Sequence, residues 1–445
     1  MKVSPFILLL FLSILSSSMA RAQSQFTLPP GVNQQKIDVN IVSNIVIIPV
    51  LVNGVELSFI LDTGANGTII FQVEADQKIE AKNAEYIALQ GAGEGQPIKA
   101  IKSSGNRIQV GDAVGKDESM YVILDERSNF SPRLGYAVQG ILGYEFFKDF
   151  IVEINYIKEH ITIHRPASYT YKNRRKQHES RLIFYRNRPY IEADVAIRDN
   201  DVPVWMLLDS GASDAMWLFR NDSTISLPKR NFSDYLGTGL NGSINGARAY
   251  TDKLTLGPFQ FEEVTTAFPD STSIKNLYIH QRRNGSIGAD FLKRFHCIID
   301  YPNAKVTLTK NRNYNDPFVY NKSGLTIEHG DDTIAQELLS SNDQSISRAN
   351  EYTAQIVNIF KTRNYYKKVL LPTYEIAEIR PGSPAALSGF EVGDVLLRIN
   401  NKNTSKLTLE EINRYFYQNE GKVIRIRIER GGIAYDLSFT LKDIL

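Results

Sequence analysis

Two acidic residues stand at the ends of apolar runs: Asp62 in SFILDTG, residues 58–64, and Asp209 in WMLLDSG, residues 205–211. They are 147 positions apart, and each is followed by a small hydroxyl residue, a glycine and an alanine. One such Asp-Thr-Gly is an ordinary turn, since Asp and Gly suit local hydrogen bonding and positive φ. Two of them brought face to face are different. Paired carboxyl groups cannot both ionise, so they share a proton. The ionised member can draw a proton from a water held between them, and that water can attack a peptide carbonyl. The protonated member then hydrogen-bonds the developing oxyanion.

A repeat supplies the elements that would bring the acids together. GAGEGQ (residues 91–96) is echoed by GTGLNG (residues 237–242), 146 positions on. GILGYEFFKDFIVEINY, from Gly140, is echoed without a gap by GSIGADFLKRFHCIIDY, from Gly285, 145 positions on. Three landmarks in one order at nearly constant offset imply two copies of one lobe. The local text, such as IVIIPVLVNG and PYIEADVAI, is short, β-branched and bounded by Asn, Gly or Pro, so the lobes are mainly β. Gly64 and Gly211 permit tight turns where the two loops meet. The hydroxyls of Thr63 and Ser210 can bond across to the opposite loop, and Gly143 and Gly288 allow a strand to cross closely beneath each acid.

These motifs resemble the aspartic peptidases, in particular the retropepsin-like group, over roughly residues 36 to 310, with both lobes in one chain as in the pepsin-type arrangement. The resemblance implies that Asp62 and Asp209 are the catalytic pair and that the active site forms within a monomer. It makes Gly91, Gly93, Gly237 and Gly239 candidate flap glycines, although no flap tyrosine sits at a matching position. It also implies lobes at 36–166 and 180–310. Pepsins commonly carry Ser or Thr where this chain has Ala65 and Ala212; losing those donors disfavours the ionised pair and predicts a less acidic optimum than pepsin's.

After about residue 311 the repeat is exhausted. IRPGSPAALSGFEVGDVLLRINN, residues 379–401, resembles the PDZ domain of bacterial exported proteases. The expected domain spans 317–445 with an insertion at about 329–372. LTLEEINRYF has helical spacing, and a closing hairpin turns at Gly431-Gly432. PDZ domains bind C-terminal peptides through backbone amides of a Gly-containing loop. The candidate here is Ser323, Gly324 and Leu325, in a groove that is either open or filled by the insertion.

The remaining features bound the function. Met1 and Lys2 lead into PFILLLFLSIL and an Ala20-Arg21-Ala22 site, which reads as a secretory signal peptide at 1–22 with a mature start near Gln23. The expected location is the bacterial periplasm or the extracellular space. A sequon inside the Asp62 motif, Asn66-Gly67-Thr68, points to a cell that does not glycosylate it. No later stretch is long enough to span a bilayer. The single cysteine, Cys297, leaves no internal disulfide. A net charge of +2 gives no reason to expect nucleic acid. The basic run 171–181 reads as a solvated connection, and His160 and His164 read as solvent-facing on a strand. No metal or cofactor motif appears, and no serine sits in a nucleophile elbow. The expectation is an endopeptidase acting on polypeptides; the alternative is a noncatalytic exported peptide-binding scaffold.

Overall fold

The structure, a computed structural model, describes residues 24–71, 79–125, 128–172, 175–198, 200–221, 223–275, 282–338 and 366–445. The chain is mainly β, with two similar lobes and a C-terminal region built on a sheet of its own.

Both lobes are built on the same pattern. In the first, the apolar strand Val55–Leu61 pairs antiparallel with Ile45–Val52 and parallel with Gly140–Leu142, which sets Leu142 beside Leu61. In the second, Asn200–Leu208 pairs antiparallel with Arg188–Ile197 and parallel with Arg283–Ile287, which sets Ile287 beside Leu208. Thr68–Ile70 then returns antiparallel to Gly140–Leu142, as Met216–Leu218 does to Arg283–Ile287. Strands buried on both faces read as continuous apolar runs, which is why each acid follows one.

A third, six-stranded sheet joins the lobes in the order 177–181, 305–310, 295–300, 151–155, 160–164, 34–38. At its centre Ile151–Asn155 pairs antiparallel with Phe295–Asp300, residue for residue. One hydrophobic core therefore runs through both lobes, from Phe59 and Phe147 to Phe291 and Ile299.

Several expectations change here. Gln177–Arg181 is not a loose connection but a strand of the joining sheet, paired with Lys305–Lys310. The first lobe also starts earlier than residue 36, because Gln25–Thr27 pairs with the strand Ala113–Ile123. His164 does not face solvent: it is buried, with Nε2 3.2 Å from Glu153 Oε1, and His296 Nε2 lies 3.0 Å from Glu153 Oε2. Burial alone would raise the Glu153 pKa, but these histidines and the Tyr169 hydroxyl outweigh it and hold the carboxyl well below the usual range.

The C-terminal region has its own core, with Leu325, Ile376, Leu396, Ile412, Phe416 and Ile426 among its members. Its sheet runs 325–329, 374–379, 395–399, 423–430, 433–440, and the last hairpin turns at Gly431 and Gly432, both at positive φ. The helix Leu409–Arg414 begins at a capping box in which the Glu411 N–H donates to Thr408 Oγ1 and the Thr408 N–H donates to Glu411. Of the expected insertion, Thr333–Leu338 and Tyr366–Leu371 form a two-stranded ladder, and the helix-like text between them lies outside the described residues.

Candidate active site

The two acidic loops meet where the lobes meet. The Thr63 N–H donates to Ser210 Oγ at 3.0 Å, and the Ser210 N–H donates to Thr63 Oγ1 at 3.0 Å. Each hydroxyl in turn donates to the strand end of the other lobe, Thr63 to Leu208 O and Ser210 to Leu61 O, both at 2.7 Å. All four groups are buried, so each unmade bond would cost about 1–3 kcal/mol.

Beneath the loops, the Asp62 N–H donates to Leu142 O at 3.0 Å and the Asp209 N–H to Ile287 O at 2.9 Å. Past Gly143 and Gly288, the Tyr144 N–H binds Ala65 O at 3.0 Å and the Ala289 N–H binds Ala212 O at 2.7 Å. A side chain at Gly288 would place its Cβ 2.2 Å from Asp214 O, so the crossing requires glycine.

This frame sets the two carboxyls close together: a Cβ at Gly64 would lie 3.0 Å from the Asp209 carboxyl and 3.2 Å from Asp62 Oδ1. A Cβ at Gly211 would lie 2.4 Å from the Asp62 carboxyl carbon, which shows how closely each acid approaches the opposite loop. The Gly64 N–H also donates to Asp62 Oδ1 at 2.7 Å. Burial first, and the neighbouring Asp209 second, push Asp62 up to about 7. Burial raises Asp209 as well, but the Arg283 and Arg188 guanidiniums oppose that rise. The electrostatics are thus lopsided: Arg188 favours charge on both acids, whereas Arg283 adds to this at Asp209.

Neither arginine was foreseen. The Arg188 Nε–H donates to Gly64 O at 3.1 Å, and Arg283 donates to Ser286 Oγ at 2.8 Å and to Gly285 O at 3.2 Å. Tyr301 was also missed; its buried hydroxyl donates to Thr63 O at 2.8 Å while its ring stacks on Phe147. No motif marks Arg188, whereas Arg283 sits two residues before a repeat landmark, a signal that could have been weighed.

Above the acids the candidate flap segments touch each other. Gly91 and Gly93 lie between the strands Glu85–Leu89 and Ile98–Val110; Gly237 and Gly239 lie in Phe232–Gly239, which turns into Gly242–Leu256. The Asn241 N–H donates to Ala92 O at 2.9 Å, the Gly95 N–H to Asn241 O at 2.7 Å, and the Gly91 N–H to the Asn241 side chain. Both acids line a cavity of about 1480 Å³ that continues past these hairpins to Leu325, Ile327 and Tyr417.

The C-terminal domain contributes to the lining of that cavity. Arg133, on the short helix Ser131–Leu134 of the first lobe, pairs with Glu328 at 2.6 Å, and a Cβ at Gly135 would meet Leu409 at 2.6 Å. The first lobe thus packs between the strand Leu325–His329 and the helix Leu409–Arg414. The candidate carboxylate loop has no amide to spare. Asn321 Oδ1 accepts the N–H groups of Ser323 and Gly324 at 2.9 and 3.2 Å, and Ser323 Oγ accepts that of Leu325 at 3.0 Å. The Lys322 N–H binds Phe416 O at 2.9 Å. The candidate loop at Ser323, Gly324 and Leu325 thus bonds to itself. Among the described residues no cluster of His, Cys, Asp and Glu could hold a metal ion.

Residues 48–146 and 193–291 match the family model described as aspartyl protease. Each match covers one lobe and includes one of the two acids. Residues 375–430 match the PDZ domain model. The chain therefore carries aspartyl protease domains and a C-terminal PDZ domain. No curated protein matches it. Among the described residues no helix is long and apolar enough to cross a membrane.

Proposed function

We propose that this chain is an exported aspartic endopeptidase that cleaves polypeptides within a single subunit. The observation that carries this reading is the pair of closely set, partly buried carboxyls that line one cavity, held there by loops that lock each other in place. Arg188 favours charge on both acids and Arg283 on Asp209, so we place the resting proton on Asp62. Asp209 then takes a proton from the attacking water as its oxygen bonds to the peptide carbon, and Asp62 donates to the carbonyl oxygen. When the C–N bond breaks, Asp209 passes its proton to the leaving nitrogen and a hydroxyl of the intermediate returns one to Asp62. The working state needs one proton on the pair, so activity should fall as pH rises through about 7, where Asp62 loses it.

Segments 91–96 and 237–242 serve as paired flaps that part to admit substrate. The PDZ domain handles polypeptide by forming one wall of the cavity. A C-terminal peptide engages its loop only after displacing Asn321 and the segment 131–135. Signal residues 1–22, which lie outside the described residues, direct export to the periplasm or beyond.

Digestion of a peptide library tests the central claim. Asp62→Asn and Asp209→Asn should each lower hydrolysis by about 10²–10⁴-fold with the unfolding midpoint preserved, and a pepstatin-type inhibitor should block the parent. Cleavage that survives both substitutions would leave the noncatalytic scaffold as the better reading.

A further inference from the structure

Besides the acid pair, the first lobe buries a carboxyl that the proposed reaction does not use. Glu118 lies on the strand Ala113–Ile123 and is fully buried, and neither of its side-chain oxygens has a hydrogen-bond partner among the described residues. An unpaired buried carboxyl is costly. Its position is deliberate in structural terms, because Asp117 adopts φ 59° and the strand's register with Ile98–Val110 shifts there, turning Glu118 inward.

The surroundings are short of positive charge. The groups that act on Glu118 are Glu145, Lys148 and Asp149, with the Ser24 hydroxyl approaching it. Three carboxyls thus face one ammonium, and that ammonium is already paired with Glu145. Burial, more than Glu145 and Asp149, pushes Glu118 up to about 7.

The same residues hold the first described residues of the chain. Lys148 Nζ donates to Ser24 O at 2.8 Å, and the Phe26 N–H donates to Asp149 Oδ2 at 2.8 Å. Gln25 pairs with Lys116 and Phe26 with Gly115, antiparallel. Ser24, the residue before Gln25, thus meets the cluster through its carbonyl at Lys148 and its hydroxyl near Glu118. Glu118 Oε1 lies over Gly115, on the side that Phe26 occupies.

We propose that Glu118, together with Glu145 and Asp149, is a receptor for the α-ammonium group created at residue 23 when residues 1–22 are removed. The inference rests on the signal-peptide reading of the N-terminus. An α-ammonium supplies the missing cation and hydrogen-bond donors, and it arrives on the one segment already clamped to this cluster. An uncleaved chain has an uncharged amide at that position and leaves Glu118 unpaired. Seating the terminus also bears on the acid loop: Phe26 packs edge-on against Phe146 at 5.4 Å, on the short helix whose first N–H holds Ala65 O.

The test compares the protein released with a free amine at Gln23 with the same chain extended by Met-Gly. The free-amine form should unfold roughly 2 °C or more higher at pH 7, and the gap should vanish when both carry Glu118→Gln. Equal midpoints, or a gap that persists in the Glu118→Gln pair, would overturn the proposal. A second readout needs no substitution. A seated ammonium cannot attack its own Gln23 side-chain carboxamide, the ring closure that forms a C–N bond and expels ammonia. Intact Gln23 over days by mass spectrometry is expected, and closure at the rate of the denatured chain would count against the receptor. Mass analysis of the exported protein addresses the premise separately: a mature start away from residue 23 would refute the signal-peptide reading and remove the receptor's role in maturation.

Discussion

Two tight loops in this molecule use their hydrogen bonds in opposite ways. The loops at Asp62 and Asp209 bond across to each other through Thr63 and Ser210, leaving the carboxyls directed into a cavity. The loop at 321–325 bonds inward, with Asn321 and Ser323 accepting the very amides that would receive a carboxylate. The difference separates a site organised in advance of its ligand from one that must first be opened. Preorganised groups need no rearrangement when charge develops on a substrate; a self-satisfied loop must exchange its own bonds for new ones.

The comparison can be broken most forcefully at its first half. Thr63→Val removes the hydroxyl that joins the Ser210 N–H to Leu208 O, stranding two buried groups at about 1–3 kcal/mol each. Peptide hydrolysis should drop by on the order of 100-fold, since a displacement near 1 Å at reacting groups costs about that much. Adding Ser210→Ala should cost less than its effect alone. Full activity in Thr63→Val would mean that the crossed bonds are incidental to organising the acids.

The second half is sharpened by Asn321→Ala. Freeing the Ser323 and Gly324 amides should tighten binding of a C-terminal peptide by about tenfold, or about 1.4 kcal/mol, measured by fluorescence anisotropy. Unchanged binding would show that this loop is not where a carboxylate docks.

A smaller effect is expected at Arg188, which touches the organised site through Gly64 O. Removing a cation near two carboxyls disfavours their charged forms, so Arg188→Met should move the acidic limb of the rate profile upward by roughly one pH unit. With one carboxyl required in ionised form, the variant loses activity at low pH and keeps it near neutrality. A limb that moves downward, or stays fixed, would assign Arg188 to packing alone.

How much of this was readable in the chain follows from where each contact originates. Asp62 and Asp209 announce themselves because duplication repeats their surroundings, apolar run before and small residues after. The parallel strands that carry Leu142 and Ile287 belong to the same repeat. Arg188 does not: it reaches the acid loop from a strand chosen for its own pairing, and Tyr301, although it closes the second copy of the repeat, bonds to Thr63 at a separation that nothing in local text records. The strand at Gln177–Arg181 was hidden for another reason. Its polar residues have low strand propensity, and the neighbouring ladder at Lys305–Lys310 overrides it. His164 was misjudged because alternation on a strand gives the face but not what covers it, here Glu153 and Tyr169. The packing of 131–135 on the PDZ domain leaves no trace in either segment's sequence.

The six-stranded sheet that joins the lobes has a mechanical consequence. Its middle pair, Ile151–Asn155 with Phe295–Asp300, takes one strand from each half, so the boundary between halves is a fully bonded ladder with no hinge. Swinging the halves apart would tear that ladder. Under the proposed function, room for an incoming chain comes from the roof, where two hairpin tips are stitched by a few backbone bonds around Asn241, above a base held by that ladder.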